Sequence, residues 1–209
     1  MAKKMDDQHY YYETFSGKML GSKAREALIL CEFNSLKPNQ SFLEVGCAQG
    51  HYLSEALKRT KKVFGVDVVP EFISLAKKTG AKCFVSSAEK LPLPAGKFDF
   101  VLCTETLEHV PDWKKAVKEI QRVSKRGAKI VITVPLEKAF FWRAFSLIYP
   151  PEKYRGHLNL LSSQEVIEAF APCVLRKKVF VQSMSQTLNR VLPQREKISM
   201  YCFFVFECK

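Results

Sequence analysis

The sequence predicts an α/β domain, a largely parallel sheet wound on both faces by helices. Three observations carry this. Between residues 41 and 134, short apolar runs alternate with helical patterns. A glycine turn, Gly46-Cys47-Ala48-Gln49-Gly50, joins the first run to the first of these helices. After a last helix, two more apolar runs, 174–183 and 200–207, close the chain as a hairpin-like pair of strands.

The elements follow in order. Residues 6–20 are aromatic-rich. Ser22 is placed to cap a helix over 23–36, with Ala24, Ala27, Leu28 and Cys31 on its apolar face. Pro38-Asn39 turns into strand one at 41–45. The helix after the glycine turn, over 50–60, gathers Tyr52, Leu53, Ala56 and Leu57 on one side. Strand two, 62–67, ends in Asp67. Pro70 opens the next helix, where a missing N–H is tolerated, and Gly80 closes it. Residues 81–85 are strand three and 86–92 a loop. Gly96-Lys97 turns into strand four, 98–103. Asp112 caps a helix with Trp113, Ala116, Val117, Ile120 and Val123 facing inward. Gly127 precedes strand five, 128–134. Residues 136–161 break the alternation with an aromatic stretch and a Pro150-Pro151 turn, and Ser162 or Ser163 caps the last helix.

The 209 residues, 47% hydrophobic and 26% charged, suit one globular domain with a filled core. No apolar run reaches the roughly 18–20 residues of a membrane span. The opening residues lack the apolar stretch of a signal peptide. The seven cysteines are dispersed without a C-x-x-C pair, which reads as buried reduced thiols and a cytoplasmic protein. The net charge of +12 fits an acidic partner, RNA or an anionic membrane surface, and equally a lysine-rich solvated face.

Strand, glycine turn, helix, strand and acid together form a nucleotide-binding pattern. A dinucleotide site calls for G-x-G-x-x-G, whereas here Glu44 precedes only two glycines, Gly46 and Gly50. This stretch resembles motif I of the class I S-adenosylmethionine-dependent methyltransferases. The loop Ser87-Ala88-Glu89-Lys90-Leu91-Pro92 is similar to the D-A-E-x-L-P of the family's type 11 group, with Ser87 where the acid stands. The resemblance implies a Rossmann-like, doubly wound, seven-stranded sheet of order 3-2-1-4-5-7-6 with strand 7 antiparallel. It also implies S-adenosylmethionine as cofactor and S-adenosylhomocysteine as product. Glu44, Gly46, Cys47, Gly50, Asp67, Val68, Ser87, Ala88, Glu89 and Thr104 are the implied cofactor contacts. Asp67 would take the ribose hydroxyls, and Ser87 would face the adenine amino group. Residues 1–40 would be a helical lead-in and lid, with Tyr10, Tyr11, Tyr12 and Phe15 as lid candidates. Residues 41–135 would be the cofactor core, 136–161 an acceptor-side insertion, and 162–209 the closing helix and strands of this one domain, 1–209.

Methyl transfer from a sulfonium needs alignment and exclusion of water, and a base only if the acceptor must lose a proton early. Candidates for that base are His109, just after strand four, and His157, both expected at the carboxyl edge of strands four and five. If the chain turns helically after strand four, Glu105, Glu108 and His109 fall on one side at i, i+3 and i+4. The E-x-x-E-H spacing resembles ubiquinone-biosynthesis O-methyltransferases and small-RNA 2′-O-methyltransferases, in which the motif is linked to a metal. With His157 it forms an alternative metal set, while the favoured reading has no metal. Phe140, Phe141, Trp142, Phe145, Leu147 and Ile148 coat a short segment, as core, as pocket lining, or as a greasy entrance that touches a membrane beside Lys138 and Arg143. The expected function is methyl transfer to a small-molecule or lipid-like acceptor, most readily at oxygen. The alternatives are an RNA methyltransferase and a non-catalytic S-adenosylmethionine-binding protein.

Overall fold

A strand with helices on both sides must be apolar on both faces, and Ser41–Val45 (β1) is buried along its whole length. In the computed structural model, which describes residues 23–136, 157–181, 199 and 201–209, it lies mid-sheet. Around it run Lys62–Asp67 (β2), Lys82–Val85 (β3), Phe98–Thr104 (β4), Ser124–Pro135 (β5), Val174–Val181 (β6) and Tyr201–Glu207 (β7). The order is β3-β2-β1-β4-β5-β7-β6, and β7 is antiparallel to both of its neighbours, as expected.

The helices are Lys23–Phe33 (α1), His51–Leu57 (α2), Pro70–Ala76 (α3), Trp113–Val123 (α4) and Ser163–Ala169 (α5). Helix α3 tightens into a 3₁₀ turn that Gly80 ends in the left-handed region. On one face of the sheet Leu43, Val101, Ile130 and Phe204 meet α4 and α5. On the other, Phe42, Phe100, Val131 and Phe203 meet α1, α2 and α3. Asp112 caps α4 by accepting from Lys115 N–H, and Ser162 with Glu165 forms a capping box on α5.

Two expectations change. Helix α1 buries Ala24, Arg25, Ile29 and Phe33, while Cys31 is exposed. The Phe33 ring decides this, edge-on to Phe42 at 5.2 Å and Phe100 at 5.5 Å, and the helix turns to deliver it. Strand β5 begins at Ser124 and runs through Gly127, with an irregularity in its register against β4 between Phe98 and Phe100. Of the cysteines, all free, Cys47, Cys83, Cys103 and Cys202 are buried and Cys173 and Cys208 half-buried.

Ser22, the lid candidates at 10–15, the aromatic stretch from 138 to 148, Tyr154 and Arg155 lie outside the described residues. Among the described residues no helix is long and apolar enough to cross a membrane.

Candidate active site at the carboxyl edge of the sheet

Parallel strands bring every strand-to-helix turn to one edge, and the predicted site residues gather there. Gly46 and Gly50 hold φ of 76° and 89°. A side chain on Gly46 would run into Thr106, with Cγ2 at 2.7 Å and Oγ1 nearer still. The turn after β1 thus passes directly over the turn after β4. Thr106 was not foreseen, because its contact with Gly46 joins segments distant in the chain.

Asp67 ends β2 and organises the turn beside it. Its Oδ2 accepts from Ala48 N–H at 2.8 Å and its Oδ1 from Val69 N–H at 3.0 Å. Ala48 sits at φ 42°, a conformation that this bond helps hold. Burial raises the Asp67 pKa, and the backbone donors offset part of that. Glu44 lies deeper. Burial, then the Asp67 charge, holds its carboxyl well above the usual range. Its Oε2 is buried and has no hydrogen-bond partner among the described residues. Such an orphaned acceptor beside a glycine turn fits a site shaped for a polar ligand.

On the β3 side, Ala88 is buried and Val68 is 46% exposed. Ser87 was expected to face an adenine amino group. Its hydroxyl instead donates to Glu89 Oε2 at 3.0 Å and accepts from Glu89 N–H at 3.1 Å. Glu89 Oε1 in turn accepts from Asp112 N–H at 2.9 Å. The loop binds itself to the start of α4. His51 points outward and pairs with Glu26 at 2.9 Å.

After β4 the expected helical turn does not begin at Glu105. Thr104 is buried, and Glu105 takes φ 45°, which swings its side chain toward β5. Glu105 Oε1 accepts from the Thr133 hydroxyl at 2.8 Å, and Oε2 pairs with Arg25 Nη1 at 3.0 Å. Arg25 is buried on α1 and also lies over the Tyr201 ring at 4.9 Å. The four-residue metal set is therefore corrected: Glu105 belongs to an ion pair on the other side of β4. Arg25 was missed because a cation between Ala24 and Glu26 reads as an exposed residue.

The remaining three residues converge. Leu107–His109 forms a 3₁₀ turn that buries Glu108. The Glu108 carbonyl accepts from Leu158 N–H at 2.7 Å and Asn159 N–H at 3.0 Å. Asn159 Nδ2 donates to Val110 O at 2.7 Å and Leu107 O at 3.3 Å. This clamp sets the His157 ring edge-on to His109, with centroids 4.6 Å apart. His109 Nε2 is 3.8 Å from Glu108 Oε1. One ligand atom from each of Glu108, His109 and His157 lies within 4.8 Å of the others, a fit for three donors to a divalent ion.

A family model for the methyltransferase domain matches residues 43–132, the stretch from β1 into β5 that holds the glycine turn, Asp67 and His109. That stretch, somewhat under half of the chain, belongs to the methyltransferase domains and carries the likeness to the class I S-adenosylmethionine-dependent enzymes. An S-adenosylmethionine-dependent methyltransferase from Thermotoga maritima has the same fold, with a TM-score of 0.72 at 20% identity over 97% of this chain and 100% of that one. The uncharacterized protein MJ1123 of Methanocaldococcus jannaschii is 29% identical over 79% of this chain and 80% of its own. The ubiquinone biosynthesis O-methyltransferase of Xanthomonas oryzae pv. oryzae is 35% identical over 44% of this chain and 41% of its own length. The methyltransferase thus matches less than half of that longer enzyme. Its cofactor is S-adenosylmethionine, released as S-adenosylhomocysteine.

Proposed function

We propose that this methyltransferase transfers the methyl group to a hydroxyl of a small or lipid-like acceptor, with the His109–His157 pair taking the acceptor's proton. The observation that carries the reading is the meeting of two imidazoles from separate segments beside a buried carboxylate, at the ligand edge of the sheet.

Bound S-adenosylmethionine supplies a methyl group already activated by its sulfonium. The chain's part is to hold, align and deprotonate. Asp67 keeps lone pairs beyond those given to Ala48 and Val69, and with these it accepts the ribose hydroxyls. The backbone from Gly46 through Cys47 to Gly50 approaches the ligand without side-chain obstruction. Val68, Ala88 and Thr104 line the rest of the cleft, and Glu44 sets its polarity. Ser87 and Glu89 shape the adenine loop through their own bonds. A neutral imidazole accepts the hydroxyl proton, and Glu108 nearby favours the imidazolium that results.

Charge placement favours a small acceptor over RNA. The carboxyl edge carries Glu44, Asp67, Glu89, Glu105 and Glu108. Exposed Lys61, Lys62, Lys77, Lys78 and Lys82 stand at the starts of β2 and β3, on the opposite edge. The O-methyltransferase relative and a base on the acceptor side favour oxygen.

The test is S-adenosylhomocysteine release across a panel of hydroxylated acceptors. His109→Ala is expected to lower turnover by about 10²–10⁴-fold and leave S-adenosylhomocysteine affinity unchanged. Full turnover in that variant removes the base. A second reading rests on the three converging donors: Glu108, His109 and His157 would hold a divalent cation that polarises the acceptor oxygen. Loss of activity in EDTA, regained on adding one metal, selects that reading; activity indifferent to EDTA selects the base.

A further inference from the structure

Two cysteines meet behind the glycine turn. Gly65 of β2 and Cys83 of β3 are register partners in a parallel pair, so their side-chain positions share a face of the sheet about 4.8 Å apart. Gly65 has no side chain, and a Cβ built there would come within 2.8 Å of Cys47 Sγ. The Cys47 sulfur therefore occupies the place of a Gly65 side chain, next to that of Cys83. The Cys47 and Cys83 thiols reach Ala48 O at 3.9 Å and Ala81 O at 3.7 Å, and they lie near enough for each to shift the other's pKa.

We propose that Cys47 and Cys83 are a peroxide-sensitive dithiol that closes to a disulfide and thereby weakens cofactor binding. The pair is asymmetric. The neighbouring Cys47 thiol lowers the Cys83 pKa, helped by the Lys77 ammonium. The Cys83 side chain, and then burial, push the Cys47 thiol up. Cys83 is thus the thiolate-leaning partner, and Cys47 keeps its proton. Strand β3 is the sheet's edge strand, and exposed Lys82 and Phe84 flank Cys83. A small oxidant has less to cross there than at the interior sulfurs of Cys103 or Cys202.

The chemistry balances with a peroxide as oxidant. The Cys83 thiolate attacks hydrogen peroxide, the O–O bond breaks, and a proton completes the water that leaves with Cys83 as sulfenic acid. The Cys47 sulfur then attacks the Cys83 sulfur. The S–O bond breaks, the hydroxide takes the Cys47 proton and leaves as a second water, and the disulfide remains. Peroxide is reduced by two electrons, and the two thiols are oxidised by two.

The consequence falls on the cofactor turn. Gly46 and Cys47 N–H both donate to Val66 O, at 2.8 and 3.0 Å, and Ala48 N–H donates to Asp67. A disulfide needs sulfurs about 2.05 Å apart, well inside the contact of two unbonded thiols. Closing that gap draws Cys47 toward β3, against bonds that hold the turn to β2.

The experiment treats the full chain with hydrogen peroxide, blocks free thiols, and maps peptides without reduction. A Cys47–Cys83 linked peptide is expected. The S-adenosylhomocysteine Kd by calorimetry should rise by about tenfold or more, and return with dithiothreitol. Cys83→Ser and Cys83→Ala should bind as the reduced protein does and ignore peroxide. Absence of the linked peptide, a linked protein of unchanged affinity, or Cys83 variants that still lose affinity would each overturn the inference. Reduced protein that fails to bind S-adenosylhomocysteine would count against the assigned cofactor site, and the peptide map alone would then decide the dithiol.

Discussion

At the scale of single residues, Glu44 and Gly46 have the sharpest consequences. The Glu44 pKa is raised by burial and by Asp67, so the native state binds a proton that the unfolded chain has released. The stability linked to that proton is present below the ordinary carboxylate pKa, about 4.3, and is lost as pH rises through the folded value. Asp67, raised by burial, acts with the same sign. Glu44→Gln removes one such loss. Thermal melts of the ligand-free variant should therefore exceed the parent's by a margin that grows with pH, reaching about 2–4 °C per kcal/mol restored. Parallel melting curves from pH 5 to 8 would show that Glu44 stays charged at no cost. Gly46→Ala meets both the left-handed backbone and Thr106, for a loss on the order of 1–3 kcal/mol in stability. Thr106→Ala in that background should recover part of the loss, since it relieves contact but not φ. Equal melts for the single and double variants would place the whole effect in the backbone.

Among elements, the segment around Asn159 matters because it sets one turn upon another. Its side chain holds two carbonyls of the turn after β4, and its backbone holds a third. Asn159→Ala leaves those side-chain-held carbonyls without their donor, at a cost of about 1–3 kcal/mol. Since the same clamp brings His157 to His109, turnover should fall while S-adenosylhomocysteine affinity holds. A variant with both unchanged would show that the histidines meet without it. Helix α1 is tied in similarly through Arg25 and Glu105. Breaking one partner of this buried pair strands the other charge, so Arg25→Met should destabilise more than the double variant with Glu105→Gln. Chemical denaturation of the three proteins measures this, and additive losses would argue against coupling.

Over the whole molecule, the last strand in sequence is not last in space. Strand β7 lies between β5 and β6 and pairs antiparallel with both. Its Phe203, Phe204 and Phe206 reach into both helical layers. Truncation after residue 198 should therefore leave β6 without a neighbour and abolish cooperative unfolding, as circular dichroism would show. A truncated chain that still melts in one sharp transition would mean the β1–β5 core stands alone.

How much of this was legible follows from what each signal depends on. Strand β2, the Asp112 cap and the Pro70 and Gly80 ends of their helix were readable because they rest on local patterning and backbone stereochemistry. Asp67 and the glycine turn were readable too, since a ligand site at a strand end needs those residue types within one βαβ unit. The face of α1 was not, because a distant pair of rings, Phe42 and Phe100, chose it. Nor were Thr106 over Gly46, Arg25 with Glu105, or Cys47 beside Cys83, each a contact between segments that no periodicity links. His109 and His157 show the division most plainly. The sequence by itself determined a methyltransferase sheet with a ligand edge and two histidines bound for it. Only the tertiary structure decided that Glu108 joins them and Glu105 does not, because one left-handed φ after β4 sends neighbouring carboxylates to opposite sides of a strand.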